Sequence, residues 1–110
     1  MERNNLYPIF LKAKSLNILI VGGGFVAEEK LTFLLKSSPD ACVTIISPFF
    51  REGTVSLSRK GNVTLIEDTC ESLGSKFRKK SLGTFGRFGT YSFYPSHQIT
   101  SGEGGMVVCN

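Results

Sequence analysis

An aliphatic run that stops at three consecutive glycines constrains this chain more than any other feature. The run Asn17-Ile18-Leu19-Ile20-Val21 shows no alternation of polar and apolar residues, which predicts a parallel strand buried on both faces. After Gly22-Gly23-Gly24 the apolar period becomes helical from Phe25 to about Lys36. One stripe of this predicted helix is apolar (Ala27, Leu31, Leu34 and Leu35), and Glu28, Glu29 and Lys36 face away from it.

Two further strands follow, which predicts an α/β fold built on a Rossmann-like βαβ unit. Residues 42–46 and 63–66 are rich in β-branched and aliphatic residues. Pro39 ends the intervening helix, and Gly53 and Thr54 argue against a strong helix over 49–60. We therefore expect three parallel strands in the spatial order 3-2-1, joined by right-handed crossovers.

The composition changes after Asp68, where glycines and phenylalanines become frequent. Short strands are predicted at 90–94 and 106–109, forming a possible β-hairpin that packs loosely on one edge of the sheet. A truncated sheet leaves unpaired edges, which favours a homodimer or non-specific self-association.

Composition excludes several classes of protein. The chain has 110 residues, 41% of them hydrophobic and 20% charged, with a net charge of +4, which is typical of one small globular domain. The basic residues cluster only at Lys76, Arg78, Lys79 and Lys80, which predicts a solvated loop rather than a nucleic-acid interface. The three cysteines fit neither a disulfide framework nor a metal pair. Cysteines without a disulfide pattern are typical of a reducing compartment, so we expect a cytoplasmic protein, and the lack of a long apolar segment predicts no membrane contact.

The glycine turn fits the G-x-G-x-x-A pattern between a strand and a helix. Gly22 permits a tight turn, Gly24 lets a pyrophosphate approach the backbone, and Ala27 lets the helix pack closely. The N-terminal N–H groups of the helix then face the phosphates. The predicted NAD-binding residues are Gly22, Gly23, Gly24, Phe25, Val26, Ala27, Ser47 and Pro48.

Two alternatives stay open at this turn. The glycines fit a purely structural turn as well. The ribose-binding acid expected at the end of the second strand is replaced by Ser47-Pro48. Ribose recognition then depends on Ser47 or on backbone groups, so the choice between NAD and NADP stays open.

Residues 6–66 resemble the N-terminal domain of siroheme synthase and the precorrin-2 dehydrogenases. The resemblance is carried by Tyr7 to Leu11, Ile18 to Ala27 with Lys30, Leu34-Leu35, Val43 to Pro48, and Gly61 to Ile66. It implies NAD-dependent oxidation of precorrin-2 to sirohydrochlorin in siroheme biosynthesis, a porphyrin pathway. The catalytic aspartate of that family lies beyond a further strand that has no counterpart after Ile66, so its role is not carried onto Asp68.

Residues 66–110 resemble a second family, the aminotransferases and 3-dehydrases of nucleotide sugars that use pyridoxal phosphate. The matching segments are Ile66 to Gly74, Leu82 to Gly86, Ser92 to His97, and Gly102 to Gly105. The resemblance implies that Asp68 pairs with the pyridine nitrogen of the cofactor and that Ser92 contacts its phosphate. His97 stands where the Schiff-base lysine is normally found, as in the 3-dehydrases that act on CDP-4-keto-6-deoxyglucose. It would be the catalytic base if this site exists.

A lone histidine in such a turn is also typical of a plain surface residue. The segment departs from its family at two positions, since Lys79 and Arg87 stand where glycine and aspartate are usual.

The chain thus resembles a join near residues 66–67 of two unrelated enzyme fragments, whether natural, misassembled or engineered. We divide it into an NAD-binding segment, 1–66, and a fragment of an aminotransferase-fold domain, 67–110. The main hypothesis is the NAD-binding domain of a precorrin-2 dehydrogenase, incomplete and inactive as this chain. The alternatives are a fragment of a pyridoxal-phosphate-dependent sugar 3-dehydrase or aminotransferase, and a nucleotide-binding remnant without turnover.

Overall fold

The computed structural model describes residues 5–94 and 102–110. A single 3-10 turn (Ala13–Ser15) precedes strand β1 (Asn17–Val21), helix α1 (Phe25–Ser37) and strand β2 (Cys42–Ser47). Helix α2 (Glu52–Ser58) and strand β3 (Val63–Asp68) complete the second crossover. The short strands β4 (Lys76–Phe77) and β5 (Lys80–Ser81) are followed by β6 (Phe88–Ser92) and β7 (Gly105–Cys109).

Five strands form one sheet in the order β1-β2-β3-β6-β7. β1, β2 and β3 are parallel, with Ile20 beside Ile45 and Ile45 beside Leu65. The predicted α/β fold and the 3-2-1 order of its first three strands are therefore confirmed. β6 continues the sheet parallel to β3, and β7 pairs with β6 in the antiparallel direction.

The core lies on one face of this sheet. Because the chain steps in one direction from β1 to β3, right-handed crossovers place α1 and α2 on the same face, where the two helices contact each other. Their apolar sides pack on the inward residues of the strands. The buried cluster comprises Leu31, Ala41, Val43, Ile45 and Leu65.

The prediction that the first strand is buried on both faces is wrong. Leu19 and Val21 are 58% and 79% exposed, whereas Ile18 and Ile20 pack against the core cluster. No helix of the described residues covers the other face of β1. An uninterrupted aliphatic run therefore forms a strand with one covered face.

The described parts of the glycine-rich tail, 69–94 and 102–110, add two strands to the main sheet. The predicted hairpin on the sheet edge is confirmed as β6 and β7, with bounds shifted by one or two residues. The predicted loose packing is wrong for β6, where Tyr91 is 8% exposed and its hydroxyl donates to the carbonyl of Leu82, whereas β7 is largely exposed. The segment after β2, where the sequence argues against a strong helix, contains the short helix α2, and Thr54 in this helix is fully buried.

The basic cluster forms the exposed hairpin β4–β5. Arg78 and Lys79 occupy its turn with positive φ angles of 47° and 67°. These angles favour glycine, so Lys79 carries a conformational cost at the position where the resembling family has glycine. Within residues 5–94 and 102–110, the helices are all too short or too polar to cross a bilayer.

Candidate functional site

The three glycines between β1 and α1 each meet a different steric environment. Gly22 has φ +118°, and its N–H donates to the carbonyl of Ile46 at 2.8 Å. A Cβ on Gly23 would overlap the backbone carbonyl of Phe49, whereas a Cβ on Gly24 would have no atom within 4 Å. Gly22 therefore makes the turn, Gly23 lets the β2–α2 loop pack against it, and Gly24 faces open space.

The first turn of α1 is accessible to a ligand. Gly24 is the N-cap and supplies no side-chain acceptor, so the first N–H groups of the helix keep their capacity to bind an anion. Phe25 and Val26 are 64% and 65% exposed, while Ala27 is 9% exposed against the sheet. These residues, with Lys30 and the end of β1, line an open groove of about 440 Å³.

The other two residues predicted at this site lie at the end of β2. Ser47 is 3% exposed, and its Oγ accepts a hydrogen bond from the Phe49 N–H at 3.4 Å. The hydroxyl is therefore used inside the turn. Pro48 does not line the groove beside the glycine turn but a second cavity on the other side of the β2–α2 loop.

Sequence reasoning missed a charged pair at the mouth of the turn. Arg51 donates from its backbone N–H to the Gly23 carbonyl at 3.2 Å and from Nε to Glu28 Oε2 at 3.0 Å. Its guanidinium also lies 5.6 Å from the ring centroid of Phe25. Glu28, expected to face solvent, is thus one end of an ion pair that ties α1 to α2. The spacing of 23 residues between them gives no local signal in the sequence.

The observed strand order lacks one feature of a complete dinucleotide-binding site, the crevice beside the first strand. In doubly wound folds the ligand lies where the strand order reverses, beside the first strand. Here β6 adds next to β3 instead, and β1 is an edge of the described sheet. The glycine turn therefore offers the phosphate-binding half of such a site, with no crevice between β1 and a following strand.

A second candidate site lies at the carboxyl end of β3, on the face of the sheet opposite the helices. Asp68 pairs in register with Thr90, whose hydroxyl donates to Asp68 Oδ1 at 3.1 Å. The Cys70 thiol donates to the same oxygen at 2.6 Å. These bonds, that of Cys70 foremost, lower the pKa of Asp68 despite partial desolvation, and Asp68 in turn raises the pKa of the Cys70 thiol. An exposed, ionised carboxylate results.

Ser92 shares this face because it lies two residues beyond Thr90 on β6. Its hydroxyl accepts from the Tyr94 N–H at 3.2 Å, and within residues 5–94 and 102–110 no acceptor takes its own proton. The structure thus brings Asp68 and Ser92 to the same end of one sheet face. His97, the predicted base, lies outside the described residues.

Glu67 is a second residue that sequence reasoning missed. Its side chain is 2% exposed and accepts backbone hydrogen bonds from Gly83 at 2.9 Å, from Phe85, and from Gly86 at 2.7 Å. It therefore holds the 82–86 loop against the end of β3. The only sequence signal was an acid at the end of an apolar strand, ahead of a glycine-rich segment.

Two family models match the chain. Residues 52–110 match the DegT/DnrJ/EryC1/StrS aminotransferase family, and residues 9–80 match a model described as "Putative NAD(P)-binding". The two matches overlap over residues 52–80, which contain α2, β3 and β4.

Several curated proteins are similar to this chain over part of their length. A GDP-perosamine synthase from Escherichia coli O157:H7 is 43% identical over 84 residues, 76% of this chain and 22% of that protein. A dTDP-4-dehydro-2,6-dideoxy-D-glucose 3-dehydratase from Saccharopolyspora spinosa is 43% identical over 65 residues, 59% of this chain and 14% of its own length. The lipopolysaccharide biosynthesis protein RfbH from Salmonella typhimurium is 53% identical over 51 residues, 46% of this chain and 12% of its own length. The chain thus spans less than a quarter of each.

Solved structures show the same fold. A GDP-4-keto-6-deoxymannose-3-dehydratase with a trapped PLP-glutamate geminal diamine superposes with a TM-score of 0.62 at 22% identity, covering 84% of this chain and 32% of that chain. The E. coli GDP-4-keto-6-deoxy-D-mannose-3-dehydratase with bound hydrated PLP gives 0.60 at 22% identity, covering 84% and 31%. The fold therefore occurs in enzymes of this kind over most of the present chain.

Proposed function

Because this chain belongs to the DegT/DnrJ/EryC1/StrS aminotransferase family through residues 52–110, and to the NAD(P)-binding family through residues 9–80, we propose two partial sites. The primary one is part of the cofactor site of a pyridoxal-phosphate-dependent sugar 3-dehydratase or aminotransferase. The observation that carries it is the ionised carboxylate of Asp68 on one sheet face with Ser92. We also propose the division of the chain into an NAD-binding segment, 1–66, and a fragment of that enzyme, 67–110, although the two family matches overlap on both sides of this boundary, over residues 52–80.

The residues of this face fit the cofactor at two points. Asp68 has its Oδ1 held by Thr90 and Cys70, so the carboxylate is oriented for a protonated ring nitrogen. Ser92 keeps a hydroxyl proton for a phosphate oxygen. When bound, pyridoxal phosphate or its amine form supplies an electron sink for bond cleavage beside a sugar amine or keto group. In this chain Asp68 would hold the ring-nitrogen proton, and Ser92 would orient the phosphate.

Binding of pyridoxamine phosphate tests this site, because that form lacks the aldehyde that reacts with surface lysines. Calorimetric titration should show binding to the wild-type chain and a loss of roughly tenfold or more in affinity for Asp68→Asn, since a charge-assisted hydrogen bond is removed. Asp40→Asn is the matched control, because Asp40 is a surface carboxylate 3.4 Å from Lys14. Equal affinities for the two variants would refute the role of Asp68.

The glycine turn supports a second candidate function, the binding of NAD by a domain of the precorrin-2 dehydrogenase type. The favouring observation is the open N-terminus of α1 beside Gly22 and Gly24, in a segment matched by the NAD(P)-binding model. The missing strand-order reversal restricts the proposal to the pyrophosphate and adjacent ribose. The missing catalytic segment favours a nucleotide-binding remnant without turnover over an active dehydrogenase.

Nuclear magnetic resonance titration with NAD distinguishes these possibilities. The amide signals of residues 22–27 should shift, and Gly24→Asp should abolish the shift by placing a carboxylate at the helix N-terminus. Unmoved amides in the wild-type chain would rule out dinucleotide binding here. Oxidation of precorrin-2 by the NAD-loaded chain would contradict the hypothesis of a remnant without turnover and would support an active dehydrogenase.

A further inference from the structure

A cavity of about 630 Å³ lies on the helix side of the sheet, at the carboxyl ends of β2 and β3. Its volume is in the range typical of small-molecule sites. Glu67 lines it, whereas the next residue, Asp68, lies on the opposite face of β3. Gly22 and Gly24 do not line it either. The cavity is thus separate from both sites described above.

The two halves of the chain build this cavity together. Residues 48–59 supply one wall through the β2–α2 loop and α2, and residues 76–85 supply the other through the β4–β5 hairpin and the loop that follows. The wall from 76–85 is held in place by Glu67, which accepts the N–H groups of Gly83, Phe85 and Gly86. Neither segment forms the cavity without the other.

Aromatic rings dominate the walls, which are lined by Phe49, Phe50, Phe77 and Phe85. Phe77 and Phe85 have centroids 6.3 Å apart with a tilt of 59°. Phe49 and Phe77 remain 62% and 53% exposed, although large apolar side chains are stabilised by burial. The Arg78 guanidinium lies 5.3 Å from the ring centroid of Phe77 and covers part of that ring. The Phe49 ring and the exposed part of the Phe77 ring are therefore available for a planar group to stack upon.

The charges around the cavity favour an anion. Arg59, Lys76 and Arg78 line it together with Glu52 and Glu67. Arg78 is paired with Glu52 at 2.8 Å, and both oxygens of Glu67 accept backbone hydrogen bonds. Among the described residues, no carboxylate lies within ion-pair distance of Arg59 or Lys76. Two cations are thus uncommitted beside an aromatic wall.

From these contacts we infer that the cavity binds an aromatic ring that carries a phosphate, specifically a nucleoside monophosphate. The base stacks on the exposed phenylalanine rings, and Arg59 and Lys76 bind the phosphate. Pyridoxal phosphate has related chemistry, but its proposed partners Asp68 and Ser92 lie on the other face of the sheet.

Calorimetry with adenosine monophosphate, adenosine and ribose phosphate tests the inference on the intact chain. The nucleotide should bind at least tenfold more tightly than either piece, because only the nucleotide uses both the rings and the cations. Phe77→Ala should weaken nucleotide binding by about tenfold, the scale of one base–aromatic stack. Lys76→Gln should weaken it by several-fold at low salt. Lys36→Gln, an exposed lysine in the last turn of α1, is the matched control and should have no effect.

Two further variants assign the bound nucleotide to its site. Asp68→Asn and Gly24→Asp should leave nucleotide affinity unchanged, even where they abolish the binding proposed for the other two sites. Equal affinity of nucleotide and ribose phosphate would overturn the inference, as would an unchanged affinity in Phe77→Ala. Loss of nucleotide binding in Gly24→Asp would overturn it too, because the ligand would then lie at the glycine turn. Since Phe77 is half exposed in a two-residue strand, its truncation leaves the core intact, which circular dichroism verifies.

Discussion

Replacement of Glu67 by glutamine should strongly destabilise the chain, although it changes a single heavy atom of the side chain. The carboxylate is 2% exposed and accepts three backbone hydrogen bonds, one at Oε1 and two at Oε2. A glutamine oxygen in the Oε2 position keeps the bonds from Phe85 and Gly86. Its amide group then opposes the Gly83 N–H, donor against donor.

The magnitude follows from these three bonds. Hydrogen bonds to charged groups contribute about 1.5–3 kcal/mol each, and neutral ones about 0.5–1.5 kcal/mol. Losing one bond and weakening two others gives a loss of about 3–5 kcal/mol. That is a large part of the roughly 5–15 kcal/mol by which a domain of this size is stable. Glu67→Ala leaves all three buried N–H groups without an acceptor and should be more damaging still.

Urea denaturation followed by circular dichroism measures this effect. With a slope of roughly 2 kcal/mol per molar urea, the midpoint for Glu67→Gln should fall by about 2 M. Glu29→Gln is the control, since Glu29 is a surface acid paired with Lys30 at 3.3 Å and should stay within about 0.5 kcal/mol of the wild type. If Glu67→Gln matched Glu29→Gln, the carboxylate would not hold the loop, and the reasoning would fail.

Four other substitutions test local geometry. Gly23→Ala should lower the free energy of unfolding by roughly 2 kcal/mol, because its Cβ meets the β2–α2 loop. Gly24→Ala, which faces open space, should stay within about 0.5 kcal/mol of the wild type in the same urea assay. Equal losses of stability would contradict the roles assigned to the two glycines. Lys79→Gly should stabilise the chain by about 1 kcal/mol, since Lys79 has φ 67°, and a loss of stability would be the contrary result. Cys70→Ala should raise the pKa of Asp68 towards its ordinary value in a carbon-detected titration, because the thiol hydrogen bond is the main cause of its lowering.

The sign of the pH effect follows from that lowered pKa. A carboxyl group whose pKa is lower in the folded than in the unfolded state contributes stability above the unfolded value. This stability is lost as the pH falls through the folded value. Cys70→Ala should therefore bring the folded pKa of Asp68 closer to the unfolded value. The pH interval in which this stability is lost on acidification should become narrower. An unchanged Asp68 titration would show that the thiol does not donate to it in solution.

Local sequence patterns were sufficient to predict the types of β1, α1, β2 and β3 and the order of the three strands. Aliphatic runs at β1, β2 and β3 and the helical stripe through Leu31 give each element its type from residues close in sequence. The tight turn at Gly22 was also predictable, because the G-x-G-x-x-A motif needs a glycine where the strand turns into the helix. The homodimer or self-association expected from unpaired edges stays a prediction.

Contacts between distant residues decided everything else. Whether one or both faces of β1 are buried depends on which helices cover the sheet. The aliphatic sequence of β1 does not contain that information. The pairing of β6 with β3 instead of β1 abolishes the strand-order reversal that a dinucleotide needs, and it brings Thr90 to Asp68. Glu67 becomes a loop anchor only because Gly83 to Gly86, 16 to 19 residues later, fold back onto it. Side-chain period is a local property of a chain, whereas the neighbour of a strand edge or a buried carboxylate is chosen by the free energy of the whole packed structure.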